Sequence, residues 1–537
     1  MDLQSVPAGF TYPAPLENFA NTDIIGGHGT FVAGIIAGSG GSSNGRYNGV
    51  APGARLLGLA AGDANLTYIL SGFDYLLDKG PAYGVKVINC SFSANTAFDL
   101  NDPVNVATKM LTDRGVSVVF SAGNSGPGNG TMNPYAAAPW VIGVGATDQN
   151  GTLASFSSRG DFGDDLQHPA IVAPGVNVIS VRNPLTQAGT TGLGGADTQR
   201  LSLADLPYYT TGSGTSFSAP QVAGAIALML ESNPQLSPAE VKDILSRTAT
   251  PMPKYFFHEA GAGMLNTYAA VLEAAFPQRR MGAFRSIFST DAVKFVTSTL
   301  QTFGPTVIPG TAAYTDVQIP QNTVQASVNI SWALSSNDFG LSLYGPGSVL
   351  LGESNYLNLP GLTGRREKVV LRNPVAQTLR AAVRHTGGVG TTQNVAGAVV
   401  ATQVQFPELL DLSGLSPQSL SAVQSSMSAN ILQPQGRKFR PTSAVSRSEL
   451  AEAIVRAGLV PQYVAASPMF VDVRDFYTRN AVESVQANPG GRLIYDADAG
   501  GRFYPSAAAT KLAAAIALVR SAKLDSSAAS ATLPASV

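Results

Sequence analysis

A single cysteine, Cys90, occurs in 537 residues, which excludes any framework of intramolecular disulfides. Cys90 sits in the apolar run Val87-Ile88-Asn89-Cys90-Ser91, so it reads as a small buried hydrophobe on a strand rather than as a reactive thiol. Charge is sparse too: charged residues make up 13% of the chain, with 34 Lys and Arg against 35 Asp and Glu. So even a balance offers no basic face for nucleic acid, and no nucleic-acid partner is expected. No stretch reaches the ~18 apolar residues of a membrane span. The start, Met1-Asp2-Leu3-Gln4, has neither the basic residues nor the apolar core of a signal peptide. Small residues are plentiful instead, and 56 Gly and 34 Pro suit a loop-rich fold with close backbone packing.

The length predicts about three or four domains. From residue 24 to 275, apolar runs alternate with helical patterns: Arg55-Leu56-Leu57-Gly58-Leu59, a helix over 66–79, Val85 to Cys90, a helix over 103–114, then Val116 to Phe120. That order predicts an α/β domain over 1–280, with a parallel sheet covered by helices on both faces and ligands at the carboxyl ends of its strands. From 285 to 408, short alternating runs between Pro-Gly and Asn-Pro turns predict an antiparallel β-sandwich, with Trp332 and Tyr344 in its core. A Ser, Gln and Leu-rich segment, 409–436, reads as a linker. Next, Phe439-Arg440-Pro441, Arg447 and a helix recur as Phe503-Tyr504-Pro505, Lys511 and a helix, about 64 residues later at each landmark, so 437–524 reads as a duplicated helical unit. The Ser and Ala-rich tail, 525–537, is expected to be disordered.

Three segments carry chemistry. In Gly27-His28-Gly29-Thr30-Phe31-Val32-Ala33-Gly34, small residues around the histidine let backbone and substrate approach and leave an imidazole at a helix start. In Gly214-Thr215-Ser216-Phe217-Ser218-Ala219-Pro220, Pro220 belongs in a first helical turn. The helix is therefore expected to begin near Ser216 and to turn its positive end toward a developing oxyanion. In Phe120-Ser121-Ala122-Gly123-Asn124, an asparagine amide follows a strand's carboxyl end, where it can donate to such an oxyanion. Taken singly, each has a plain structural reading: a structural histidine, an N-cap serine, a Gly-Asn turn.

Together, in this order and spacing, the three resemble the subtilisin-like (subtilase) serine peptidases over roughly residues 20–275. The resemblance implies a serine endopeptidase acting on polypeptides, with Ser216 as nucleophile, His28 as general base and Asn124 with the Ser216 N–H as oxyanion donors. It also implies that Ser91, Phe92 and Ser93, with Ser121, Ala122 and Gly123, flank an extended substrate bound like an added strand. The family's triad aspartate stands upstream of the histidine in an Asp-Thr-Gly or Asp-Ser-Gly block, which does not occur here. Asp23 falls where subtilases carry a non-catalytic aspartate, and Asp2 lies near the triad spacing without its flanking residues. The chain is therefore expected to begin just after the family's aspartate, with the first strand absent; a catalytically inactive scaffold is the alternative.

The 285–408 segment resembles the pre-peptidase C-terminal and convertase P-like modules of secreted peptidases. The duplicated unit, with Phe470-Val471-Asp472-Val473 between its copies, resembles S-layer homology repeats. Those resemblances imply an extracellular or cell-wall associated protein with a wall polymer as second partner. The chemistry needs no cofactor. Structural calcium, with Asp338 as one candidate ligand, is compatible with the family, although no dense run of oxygen ligands points to a metal site.

Overall fold

The computed structural model of the chain describes residues 23, 26–60, 65–94, 96, 98–162, 168–183, 195–282, 293–334, 336–355, 365–388, 390–488, 491–494, 501–525 and 527. They form two compact units, one within Met1–Ile287 and Ala444–Val537, the other within Phe288–Ser443.

The first unit runs α1 (His28–Ala37), α2 (Leu66–Tyr83), β1 (Val87–Cys90), α3 (Pro103–Asp113), β2 (Ser117–Ser121), β3 (Ile142–Thr147), β4 (Ile171–Pro174), β5 (Val178–Val181), α4 (Asp197–Arg200), β6 (Tyr209–Gly212), α5 (Thr215–Ser232), α6 (Pro238–Thr248), α7 (Phe257–Ala260) and α8 (Thr267–Ala275). Strands β1 to β4 pair in sequence order as a parallel sheet. The α/β expectation is met, because these strands are predominantly apolar and so need cover on both faces. One face packs on α5, whose Ala219, Val222, Ala223, Ile226 and Met229 are buried against Val119, Ile142, Val144 and Ile171. A helix apolar on every side is an interior helix. On the other face, Phe73 and Leu76 of α2 and Val104 and Leu111 of α3 cover Val118 and Phe120. Helix α3 starts where the sequence predicts, with Pro103 in its first turn and the Asp102 carboxylate accepting from Val104 N.

The strand expected at Arg55 to Leu59 does not form. Leu56, Leu57 and Leu59 are exposed, and no described residue pairs with the run. An apolar run becomes a strand only when a neighbour takes up its backbone donors and acceptors. Among the described residues β1 likewise pairs on one side only.

The second unit holds β7 (Lys294–Phe303), β8 (Thr306–Val307), β9 (Ala312–Ile319), β10 (Thr323–Ser331), β11 (Asn337–Tyr344), β12 (Leu350–Ser354), β13 (Arg366–Arg372), β14 (Gln377–Gly388), β15 (Gln393–Asn394), β16 (Ala396–Gln405) and α9 (Pro417–Ser428). Sheets β13-β10-β16-β7 and β12-β11-β14-β9 are antiparallel. Their inner faces share one core of Val328, Ile330, Phe339, Leu341, Val383 and Val399. Trp332 lies in that core, edge-on to Phe339. Tyr344 does not: it is half-buried, its hydroxyl accepting from Arg384.

Helices α10 (Arg447–Arg456), α11 (Phe476–Gln486) and α12 (Lys511–Ser521) return to the first unit. Instead of standing apart, this segment packs on the α/β domain. Gln462 Nε2 donates to Arg247 O at 3.0 Å, Tyr463 stacks on Tyr268, and Val464 shares a buried cluster with Ala269 and Met281. The segment 409–436, read as a linker, contains α9. Asp411 accepts from the amides of Phe439 and Arg440 just as Asp472 accepts from those of Phe503 and Tyr504. Arg440 and Tyr504 share a left-handed backbone, φ 60° and 56°. Around each of the two Phe-x-Pro loops the order is thus an aspartate, a helix, the loop whose amides that aspartate accepts from, and a second helix. Beyond 525, only Ser527 of the tail lies within the described residues.

Candidate active site

The three motifs converge at the carboxyl edge of the sheet. His28 opens α1 after Gly27, whose φ of 70° suits a residue without a Cβ. Asp23 caps this helix, its carboxylate accepting from Gly27 N at 3.0 Å and Thr30 N at 2.7 Å, so it serves two of the amides a helix start leaves unpaired. Helix α1 is seated on β5: Ser180 Oγ donates to Phe31 O at 2.7 Å, and a Cβ on Gly34 would come within 2.4 Å of Ser180 Oγ. The Phe217 ring lies 5.6 Å from that of His28 and 4.5 Å from that of Phe31, which brings the imidazole beside the residue that follows Ser216.

His28 has one solvent-exposed side, yet the protein packed around the rest of the ring desolvates it and lowers its pKa below the ordinary 6.5; the Asp23 carboxylate opposes that shift. Solvent at the rim and desolvation within are both consistent with an imidazole at a cleft wall. Among the described residues neither the His28 ring nor Ser216 Oγ forms a hydrogen bond, and no carboxylate orients the ring. Catalytic hydrogen bonds are often long before substrate arrives and tighten in the complex. Asp2 lies outside the described residues.

Helix α5 begins at Thr215, one residue from the expected position, but Pro220 falls in its second turn rather than its first. Its start is tied to three strand ends. Ser218 Oγ donates to Ala173 O at 2.9 Å and Gln221 Nε2 to Pro174 O at 2.5 Å, after β4. Thr215 reaches the end of β2: its N–H and hydroxyl meet Asn124 Oδ1 at 2.9 and 3.0 Å, and its Oγ1 accepts from Gly123 N at 3.2 Å. Because a main-chain N–H can only donate, the Asn124 oxygen must face Thr215, and its NH₂ group therefore points away, where an oxyanion beside the Ser216 N–H would receive it. Ser91, after β1, donates from Oγ to Ser216 O at 2.8 Å. Residues 215, 218 and 221 recur at helical spacing; the sequence reading missed the roles of all three, and the Gly-Thr-Ser-x-Ser pattern was the available signal.

The expected substrate walls are only partly as read. Phe92 turns inward, edge-on to Phe120 at 5.5 Å, because an aromatic side chain next to a core strand gains more from burial than from lining a cleft. Ser121 and Ala122 are buried. The backbone of 121–123 is committed elsewhere: Ser121 O accepts from Asn133 Nδ2, Ala122 N donates to Val144 O, and Gly123 O accepts from Ser158 N. Gly123, at φ 103° and with a would-be Cβ 2.7 Å from Ser158 Oγ, leaves the wall without a side chain there. Ser93 is exposed, and none of its main-chain groups is hydrogen-bonded among the described residues, as a strand-binding edge needs. Cys90 is buried, and burial pushes its thiol pKa far up, which accords with an inert core residue. No group of three or more His, Cys, Asp or Glu gathers among the described residues, and no described helix is long and apolar enough to cross a membrane.

Residues 15–270 match the Subtilase family model for peptidase S8. The chain is 34% identical over 262 residues to the serine protease AprX of Bacillus subtilis, spanning 46% of this chain and 58% of that protein. It is 36% identical over 249 residues to subtilisin Savinase of Lederbergia lenta, covering 45% of this chain and 77% of that one. Among solved structures, the self-cleaved protease domain of PatA aligns over 49% of this chain and 87% of its own, at 25% identity and a TM-score of 0.37.

Proposed function

Because the chain belongs to the subtilase family, we propose that it is a serine endopeptidase that hydrolyses peptide bonds of proteins through an acyl-enzyme. In this reading Ser216 attacks the scissile carbonyl, and His28 takes its proton and returns it to the leaving amine. Asn124 Nδ2 and the Ser216 N–H stabilise the tetrahedral oxyanion. The observation that supports it best is the two-point hold of Thr215 on Asn124 Oδ1, which aims a side-chain donor at the space beside Ser216 before any substrate is bound. A His28 pKa lowered by desolvation keeps the ring neutral, the form a general base requires, at neutral pH. Full activity also needs a carboxylate to hold the His28 tautomer, since loss of that group costs about four orders of magnitude. Asp23 caps the helix, and Asp2 lies outside the described residues.

The test is labelling of the folded full chain with a fluorophosphonate. Labelling of the native protein, and none of Ser216→Ala, is the expected result. A folded native chain that takes up no probe rejects the peptidase reading in favour of an inactive scaffold. The proposal extends to location outside the cell, on the wall. The duplicated aspartate-clamped Phe-x-Pro loops support it, and co-sedimentation with purified wall sacculi, compared with Asp472→Ala, tests it. Equal recovery of both proteins in the supernatant refutes that extension.

A further inference from the structure

In an α-helix each main-chain carbonyl accepts from the N–H four residues on. For Ser216 that residue is Pro220, which has no N–H and whose ring crowds the very carbonyl it fails to serve. The residue read as the nucleophile therefore sits in a helical turn whose backbone acceptor lacks its ordinary donor four residues on. A half-buried carbonyl without a donor is costly. Ser91 meets this need from 125 positions away in sequence, its hydroxyl donating to Ser216 O at 2.8 Å. The direction of that bond is fixed, because Ser91 Oγ itself accepts from Asn89 Nδ2 at 2.9 Å. An amide NH₂ only donates and a main-chain carbonyl only accepts, so the one hydroxyl proton must point at Ser216. Asn89 and Ser91 are two residues apart on the extended chain leaving β1 and so share a face. A side chain two positions back on the sheet thus orients the hydroxyl.

We infer that Ser91 is a positioning residue for Ser216, supplying the hydrogen bond that Pro220 withholds and fixing the first turn of α5 to the end of β1. This rests on the reading of Ser216 as nucleophile, and it changes the part given to Ser91: its hydroxyl is spent on the enzyme's own backbone instead of on substrate. Thr215 ties the start of the same turn to the end of β2 through Asn124 and Gly123. The nucleophile's peptide unit is therefore held from two adjacent strands. The Ser91 tether acts on the turn that carries Oγ, and its loss lets the hydroxyl drift from the oxyanion donors without emptying the substrate cleft.

The experiment is a double-mutant cycle in the full chain with Ser91→Ala and Pro220→Ala, read as the fluorophosphonate labelling rate of Ser216, kcat and KM on a fluorogenic peptide, and the thermal midpoint. Ser91→Ala in the native background should slow labelling and kcat by about 10-fold, the value of one hydrogen bond to a buried acceptor, with KM nearly unmoved. Pro220→Ala restores an N–H at position 220. In that background Ser91→Ala should cost at most about 2-fold, and its drop in midpoint should shrink in parallel. Equal losses in the two backgrounds, or a loss confined to KM as for a substrate contact, overturn the inference. If Pro220→Ala does not fold, Ser91→Thr against Ser91→Val decides: the hydroxyl-bearing variant should keep rate and midpoint, and equal losses in both refute the tether. If no form is labelled, the peptidase reading fails, while the midpoint cycle still decides whether Ser91 serves the Ser216 carbonyl.

Discussion

Thr215→Val is the most informative single change at the site, because it alters the hold on Asn124 without touching nucleophile or base. Valine keeps the shape and the main-chain N–H, so one of the two hydrogen bonds to Asn124 Oδ1 survives and the other, at 3.0 Å, is lost. The Gly123 N–H that gave to Thr215 Oγ1 at 3.2 Å is left without a partner in a buried place. An orphaned buried donor costs about 1–3 kcal/mol, so denaturant unfolding of Thr215→Val should show a loss in that range. Removing an oxyanion donor outright, as in Asn124→Ala, should cost about 10²–10³ in kcat. A carboxamide still held at one point should lose less, on the order of 10-fold, by the worth of one neutral hydrogen bond. Thr215→Ser keeps both functions of the hydroxyl and should remain within about 3-fold of the native rate. Fluorophosphonate labelling and peptide hydrolysis measure the series. If Asn124→Ala is impaired and Thr215→Val labels at the native rate, Thr215 does not orient the amide. If Asn124→Ala is itself unimpaired, Asn124 is not an oxyanion donor.

Three further outcomes are expected. Because desolvation lowers the His28 pKa and Asp23 opposes that, the acid limb of kcat/KM should have its midpoint below 6.5, and Asp23→Asn should move it lower still. A limb at or above 6.5, or an upward shift in the variant, contradicts the assignment of base and partner. Asp197, buried, accepts from Arg182 at 2.5 Å and from the Thr211 N–H at 2.6 Å, which binds α4 to the hairpin on which α1 rests. Asp197→Ala removes the buried carboxylate that faces the Arg182 guanidinium and should cost about 3–5 kcal/mol in urea unfolding; a loss under ~1 kcal/mol would show the pair to be dispensable. Met281, fully buried with Ala269 and Val464, joins the C-terminal helical segment to the α/β domain. Met281→Ala should cost about 2–5 kcal/mol and expose the 444–524 segment to limited proteolysis; unchanged stability and cleavage would mean that the segment is not integral to that unit.

Much of the α/β domain was legible because its elements obey strong local rules. Apolar runs four to six residues long lie between helices with recognisable starts, as at Asp102-Pro103. What misled was the absence of a partner rather than of a pattern. Arg55 to Leu59 reads as a strand as clearly as Val87 to Cys90, but strand structure depends on a neighbour, and no described residue provides one. Tyr344, expected in the sandwich core, is half-buried, since alternation alone cannot tell which side of a strand end faces the core. Within 409–436 the helix Pro417–Ser428 leaves little trace in the sequence, because the Phe-x-Pro landmark follows rather than precedes it. The carboxylate clamp, Asp411 to Phe439 and Asp472 to Phe503, joins residues about 30 apart, and no periodicity reveals it.

The misplacement of Pro220 bears most on function. Proline in a second helical turn would ordinarily count against the helix, by about 3 kcal/mol or more. Here that cost falls on a single carbonyl, that of Ser216, and the fold answers it with a hydroxyl from the adjacent strand end. A helix satisfied wholly within itself would have no reason to meet β1 at this point, and its first turn could slide along the sheet edge while keeping every internal bond. The missing N–H makes the acceptor of the nucleophile's own peptide unit available to the sheet. Ser91, Thr215, Ser218 and Gln221 then give contacts from that turn to the ends of β1, β2 and β4. Position along the helix axis, which helix hydrogen bonds alone leave undetermined, is thereby set by side-chain contacts to the sheet. A local defect in the helix is thus converted into registration of Ser216 against Asn124, the oxyanion donor we propose.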